Sequence, residues 1–291
     1  MAKLGNKYPI LPPGRYDGFT VYVRNGKFIV RHSKNDKGNP SKSQAQSAAR
    51  LRWNNVQRLW GTFPEDWRPR FQNRVVGCSD YNTFMSLNMH DTPIYFTKQE
   101  VENFATVLVP LVVSHGILKE IVVSQDGAGL VSNIVLDDLV ITPQTTVGQF
   151  AKGVMKNNRD YGQRDSLTFV RGTQTMDLVV PRARFECHTV VLDLYSEQLL
   201  SEAVGISDGF AVRGGVLASH VTEGAATWVH ERLGPNGKRI VSSQRLWCDN
   251  AEMIAQYTSP EALARAAESY SKGKAAFLSP EPTLADTAGK L

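Results

Sequence analysis

From Val107 onward the chain is written in short apolar runs broken by glycine, aspartate and serine. "TVLVPLVVSHG", "LKEIVVSQDG" and "GLVSNIVLDDLVI" come in succession, and "DSLTFVRG", "HTVVLDLY", "GFAVRGGVLAS", "AATWVHERL" and "RIVSSQRLW" follow. Short runs rich in β-branched and aromatic residues, punctuated by turn formers, read as strands. They arrive in series and do not alternate with helices, so repeated parallel crossovers are excluded. The expected class is α+β with a mainly antiparallel, β-rich body carrying two or three helices. "GPNGK", Gly234–Lys238, reads as a hairpin loop within that series. "TTVGQFAKGVMKNN" reads as a helix because Thr146 and Gln149 have capping-box spacing, with Asn157–Asn158 as its stop. "SPEALARAAESYSKG" reads as a second, with Ser259 as cap, Pro260 in first position and Gly273 past the end.

The first 92 residues are organised differently. "KYPILPPGRYDG" is too proline-rich for a helix and predicts an extended strap. In "FTVYVRNGKFIVRHS" two β-type runs flank Asn25–Gly26, the pair that a two-residue hairpin turn prefers because both positions need positive φ. Asn39 and Pro40 then read as the cap and first residue of a helix over Ser41–Trp60. Ala45, Ala49, Trp53, Val56 and Trp60 recur at helical spacing and predict its buried stripe, with Arg50 and Arg58 on the solvent side. A helix over Pro64–Val75, bent at Pro69, should follow, then one over Tyr81–Asn88 capped by Ser79, then one opening at Thr97 and Glu100. The pattern therefore predicts a basic hairpin-and-helix module over residues 1–92, a β-rich body over 93–274, and an extended tail over 275–291.

Charge sharpens that division. The net charge of +5 conceals +11 over residues 1–75 and −6 over the rest, and a basic head of that size points to an anionic partner. That partner would be nucleic acid or the acidic body of a neighbouring subunit, and the third reading of the same charge is a solvated basic surface without specificity. No run is long and apolar enough for a transmembrane helix, so no membrane insertion is expected. The N-terminus has no apolar stretch of secretory type. Cys78, Cys187 and Cys248 are odd in number, far apart and without a CxxC, which reads as reduced thiols. The setting these features imply is a virion or the bacterial cytoplasm.

Chemistry-bearing motifs are sparse. "GISDG", Gly205–Gly209, fits G-x-S-x-G with Ser207 as nucleophile, but that elbow needs a strand before it and a helix after it. Here the preceding segment reads as helical or irregular and the following one as strand, so a glycine-rich turn is the better reading. His32, His90, His115, His188, His220 and His230 show no metal-ligand spacing, and Cys187–His188, as neighbours in a strand, point to opposite faces. Asp137–Asp138 could supply carboxylates for acid/base work, but spacing alone assigns them no role. No catalytic residue, metal or cofactor is therefore expected. The basic ribbon carries more. Arg24, Lys27, Arg31, Lys34 and Lys37 lie on or beside the hairpin with Tyr22 and Phe28 interleaved, and a basic β-ribbon can sit in a groove or track phosphates.

Several of these segments also resemble a recurrent family of uncharacterised proteins encoded by Bacteroidota, phages and prophages. The likeness rests on "NGK" with a following arginine (Asn25–Lys27, Arg31), on an NPxxxxQ-type helix start with Arg50 and Trp60, and on "YNxFxxxN", Tyr81 to Asn88. The chain departs from that pattern at Ser41–Lys42, where arginine-threonine is usual. The resemblance implies a structural or binding protein and no reaction. Two expectations follow. The first is a non-enzymatic assembly protein, a capsid, head-accessory or tail subunit that self-associates or packs on other virion proteins. Its subunit-packing arms would carry Ile10, Leu11, Phe277, Leu278 and Leu284. The alternative is a nucleic-acid-binding protein. Arg24, Lys27, Arg31, Lys34, Lys37, Arg50 and Arg58 are the contact residues for either partner.

Overall fold

The computed structural model describes residues 2–3, 13–16, 19–24, 26–32, 44–72, 74–75, 77–137, 139–177, 180–205 and 208–271. The chain packs as two units, Met1–Ser47 and Ala48–Leu291. The expected boundary at residue 92 is corrected by this division. Helices between residues 44 and 88 bury Val56, Leu59, Phe84 and Met85 in one core with Val107, Phe185 and Val229 of the β-rich part, so no solvated linker separates them.

The first unit is a four-stranded antiparallel sheet built outward from the hairpin. Phe19–Arg24 and Lys27–His32 pair through to Arg24↔Lys27, closing a two-residue loop, and Gly26 takes φ +69° as such a turn requires. Ala2–Lys3 adds to the outer edge of Lys27–His32 and Gly14–Tyr16 to the outer edge of Phe19–Arg24. Part of the N-terminal strap is thus a strand of its own sheet, because "GRY" lies beyond the last proline and has its N–H groups free to pair. Asn25, Asn39, Pro40 and the Ile10–Leu11 stretch lie outside the described residues.

In the second unit the framework is a long hairpin, Ser166–Asp177 with Val180–Val191, and the strand Gly224–Leu233 laid antiparallel to its first arm. The far edge of Gly224–Leu233 is shared by Trp247–Asp249 and Arg239–Val241. This sheet has two buried faces. On one, Val170, Phe185, Ala225 and Val229 pack beneath Leu59, Phe63 and Phe84 of the helical segments. On the other, Leu167, Phe169, Ala226 and Trp228 pack against the helix Val147–Asn157 and a four-stranded sheet that includes Leu130–Val135 and Val216–Ser219. Alternation along one strand accounts for both, since 167 and 169 serve one core and 170 the other. The class is α+β with mostly antiparallel pairing; Arg70–Phe71 runs parallel to Val112–His115 in a small third sheet. A helix over Ala251–Thr258, which no spacing signal announced, precedes the expected Pro260–Ser271.

Local chemistry sets the ends of these elements. Thr97 with Glu100 and Thr146 with Gln149 form complete capping boxes, and Ser79 caps Asp80–Asn88 by accepting the Asn82 N–H. The first helix spans Gln44–Thr62, and its buried face corrects the expected stripe. Leu51, Asn55, Val56 and Leu59 point inward, continued by Phe63, while Trp53 is 38% exposed and Trp60 is half-buried against Tyr81 and Phe84. The inward face passes through a polar residue. Asn55 is buried because its amide donates to the Val107 carbonyl and accepts the Val107 N–H, both at 2.9 Å. The stretch after this helix, expected as a bent helix over Pro64–Val75, is irregular with only Arg70–Phe71 as strand. Pro64 and Pro69 each lack a donor and restrict the residue before them, and buried Trp67 and Phe71 anchor the chain in place of helical bonds.

Candidate nucleic-acid interface

Register, more than sequence spacing, assembles the candidate interface. Residues directly opposed across antiparallel strands share a face, and successive residues alternate. The pairs Thr20↔Arg31, Tyr22↔Ile29 and Arg24↔Lys27 therefore lie on one face of the N-terminal sheet. The flanking strands add the positions of Arg15, opposite Thr20, and Lys3, opposite Ile29. The other face carries Phe19↔His32, Val21↔Val30 and Val23↔Phe28, with Tyr16 stacked on Phe19 at 5.2 Å between ring centroids. Five basic positions thus fall on one face and none of the four strands contains an acidic residue. Lys27 and Arg31 are exposed on the first face; on the second Val21 is buried while Val23 and His32 are exposed. Along a strand, same-face positions are about 7 Å apart and strands are about 5 Å apart, so the five backbone positions lie close together on one face.

This geometry revises the expected residue set. Phe28 is on the face opposite Lys27 and Arg31, so it does not interleave with them; Tyr22 does. Lys3 and Arg15, absent from the expectation, join through the two added strands, and the only signal for them was strand propensity around "AK" and "GRY". Arg24 and Arg50 are placed by backbone position alone, and Lys34 and Lys37 lie outside the described residues, as do Phe277, Leu278 and Leu284. Arg58 is corrected outright. Instead of facing solvent as a contact residue, its guanidinium donates to the carbonyls of Val101 and Ala105 and lies 5.2 Å over the Phe104 ring. Its reach from the first helix satisfies carbonyls at the end of the helix Lys98–Glu102, which is a structural task.

The remaining motifs resolve into packing. The segment before the G-x-S-x-G turn is the helix Leu200–Val204 and the one after it is the strand Ala211–Arg213, the reverse of what a nucleophile elbow needs. Ser207 itself lies outside the described residues. Gly209 is demanded by contact: a Cβ there would stand 2.1 Å from the Phe169 ring, and its carbonyl accepts the Trp228 indole N–H at 2.8 Å. Cys187 packs on the first core, and burial pushes its thiol upward and that of Cys248 to about 12, so neither offers a thiolate near neutral pH. Among the described residues no group of three His, Cys, Asp or Glu side chains gathers as a metal would require, and no helix is long and apolar enough to cross a membrane.

One buried polar cluster went unforeseen. Asp165 accepts from His230 Nε2 at 2.8 Å, from the Arg232 guanidinium at 2.9 and 2.7 Å, and from the Gly162 N–H at 2.8 Å, with Tyr161 stacked on the imidazole. Burial works to raise this carboxyl, but the bonds from Arg232, His230 and Gly162 outweigh it and hold it at about 2. A His–Asp pair of this kind could serve acid/base chemistry, but here the His230 side chain is only 1% exposed. It ties the start of the long hairpin to the central strand.

Compared with known proteins, the chain matches no family model, no curated protein and no solved structure. The likeness carried by Asn25–Lys27, the first helix and Tyr81–Asn88 stands on those residues alone.

Proposed function

We propose that this chain is a non-enzymatic nucleic-acid-binding protein whose N-terminal sheet lies along the phosphate backbone. The observation that supports this reading is the segregation of Lys27, Arg31 and the positions of Lys3, Arg15 and Arg24 on one sheet face, with an apolar opposite face. Residues 1–47 carry nine basic and two acidic side chains, so the segment keeps a net charge of +7. Contact through phosphates gives affinity without sequence reading. With about four phosphates neutralised, affinity for duplex DNA should fall roughly a hundredfold between about 50 and 200 mM salt. Fluorescence anisotropy with labelled duplex and single strands checks this. Lys27→Glu with Arg31→Glu should weaken binding to all sequences alike and reduce the salt slope by about two. Binding that ignores both salt and the double substitution would remove this reading.

A second reading keeps the expected assembly role, a virion or prophage component acting through self-association. The charge split supports it: the first unit carries +7 and the remainder −2, so one copy's head meets no net repulsion from another's body. Light scattering at low and high salt separates the two. A salt-labile multimer without added nucleic acid supports assembly, and a monomer that shifts only with DNA or RNA supports the first reading.

A further inference from the structure

The central sheet ends on an open strand. Along Val180–Val191 the backbone hydrogen-bonding groups alternate in direction, and two contacts fix which set points outward. The Pro181 carbonyl accepts the Thr106 N–H at 2.8 Å, and the Ala183 N–H donates to Thr106 Oγ1 at 2.6 Å. Odd-numbered residues therefore point away from Ser166–Asp177, the strand on the inner side. Beyond Ala183, no group among the described residues answers the N–H and C=O of Phe185, Cys187, Thr189 and Val191. The helix Leu200–Val204 meets this strand through Val190 in the second core, while Arg184, Glu186, Thr189 and Val191 are exposed. At the opposite margin of the sheet another segment intervenes, with the Leu118 N–H donating to the Val241 carbonyl at 3.1 Å.

Open edges are usually blunted by proline, lysine or a bulge. "FECHTVV", Phe185–Val191, contains neither residue, and its register against Ser166–Asp177 runs without a shift. Such a run is a template for another strand.

We infer that Val180–Val191 pairs antiparallel with the same strand of a second copy, about a two-fold axis at Cys187. Thr106 closes the edge at Ala183, so the ladder spans Phe185–Thr189. Cys187 then faces Cys187, and each Phe185 faces the other copy's Thr189, giving roughly six interchain backbone bonds. The side chains select this axis. An axis at Glu186 would oppose two carboxylates, and one at His188 would set Glu186 against buried Val190. The axis at Cys187 sets each exposed Glu186 opposite the other copy's half-buried His188, and neither residue has an ion-pair partner among the described residues. Apolar surface also matches. The two-fold brings the end where Val191, Leu194 and Tyr195 are exposed to the partner's other end, where exposed Phe104 lies two residues from Thr106. This contact lies within the second unit and rests on neither the nucleic-acid reading nor the charge split.

Sedimentation velocity on the full chain in about 0.5 M salt, where exposed charges are screened, tests it. A monomer–dimer equilibrium should appear between about 1 and 100 µM. Thr189→Pro should remove it, because the lost N–H points away from Ser166–Asp177 and serves only the second copy. Glu186→Lys should weaken the dimer by about threefold to tenfold, and adding His188→Glu should restore it. Glu186→Cys with His188→Cys should give a covalent dimer on air oxidation, above the wild-type background, because such a cross-strand pair is within disulfide reach. Glu186→Cys alone should not. A monomer at about 100 µM overturns the inference, as does a multimer that dissociates in about 0.5 M salt, which belongs to head-to-body contact. A dimer indifferent to both Thr189→Pro and Glu186→Lys overturns the edge, and equal cross-linking by Glu186→Cys alone overturns the axis.

Discussion

At the residue scale, Asp165 concentrates more interaction than any other carboxylate described. Its side chain is 3% exposed and its folded pKa of about 2 lies below the ordinary carboxylate value of about 3.9. A depressed folded value stabilises the native state fully above the unfolded pKa and loses that contribution as pH falls through the folded one. Between about pH 4 and pH 2 the protein should lose about 2 kcal/mol through this group alone. Asp165→Asn should cost about 3–5 kcal/mol at neutral pH, since it strands Arg232 and breaks the His230 bond. Urea melts at several pH values should show the gap between variant and wild type narrowing below pH 4; a constant gap would contradict the assigned cause. Gly209 supplies a second test. Adding a methyl group 2.1 Å from the Phe169 ring should destabilise Gly209→Ala by about 1–3 kcal/mol, read from the same melts.

At the scale of elements, what could be read ahead of the structure followed from local chemistry. The caps at Ser79, Thr97, Thr146 and Ser259 and the Asn25–Gly26 turn use bonds between residues three or fewer apart, so spacing carries them. The misread elements are those settled by distant partners. Asn55 turned the first helix by one position because Val107, 52 residues away, offers a matched donor and acceptor. The arm Val180–Val191 begins earlier than its apolar run because Pro181, which argues against a central strand, sits on the sheet's outer strand, where its missing N–H costs no ladder bond. The cationic face was half legible. Lys27 and Arg31 stand in the hairpin sequence, but Lys3 and Arg15 reach it only through strand pairing. Two substitutions test the local part. Gly26→Val should destabilise the first unit by about 1 kcal/mol or more, because a β-branched residue resists positive φ, and the hairpin amides should lose hydrogen-exchange protection. Thr146→Ala should cost about 1 kcal/mol by removing the Gln149 N–H acceptor, visible in thermal melts.

For the whole molecule, the distribution of buried side chains sets what each unit can do alone. Among the described residues the three buried apolar clusters begin at or after Leu51, and the largest enclosed side chains, Trp228, Phe84, Phe96 and Phe150, belong to the second unit. Stability should therefore reside there and the cationic face in the first. A chain lacking residues 1–43 should retain one cooperative melt near the wild-type temperature, because among the described residues it removes buried Val21 of the first sheet but no member of the three clusters. The same deletion should abolish the salt-dependent anisotropy change with DNA. Trp228→Ala should do the opposite. Removing a fully enclosed indole and its bond to the Gly209 carbonyl should cost about 3–5 kcal/mol and collapse the melt, whatever happens at the N-terminal sheet. The two variants form a crossed pair, one sparing the core and losing polyanion binding, the other sparing the charges and losing the core. If the deletion instead unfolds residues 44–291, the first unit contributes to the core of the second, and the separation of binding from stability fails with it.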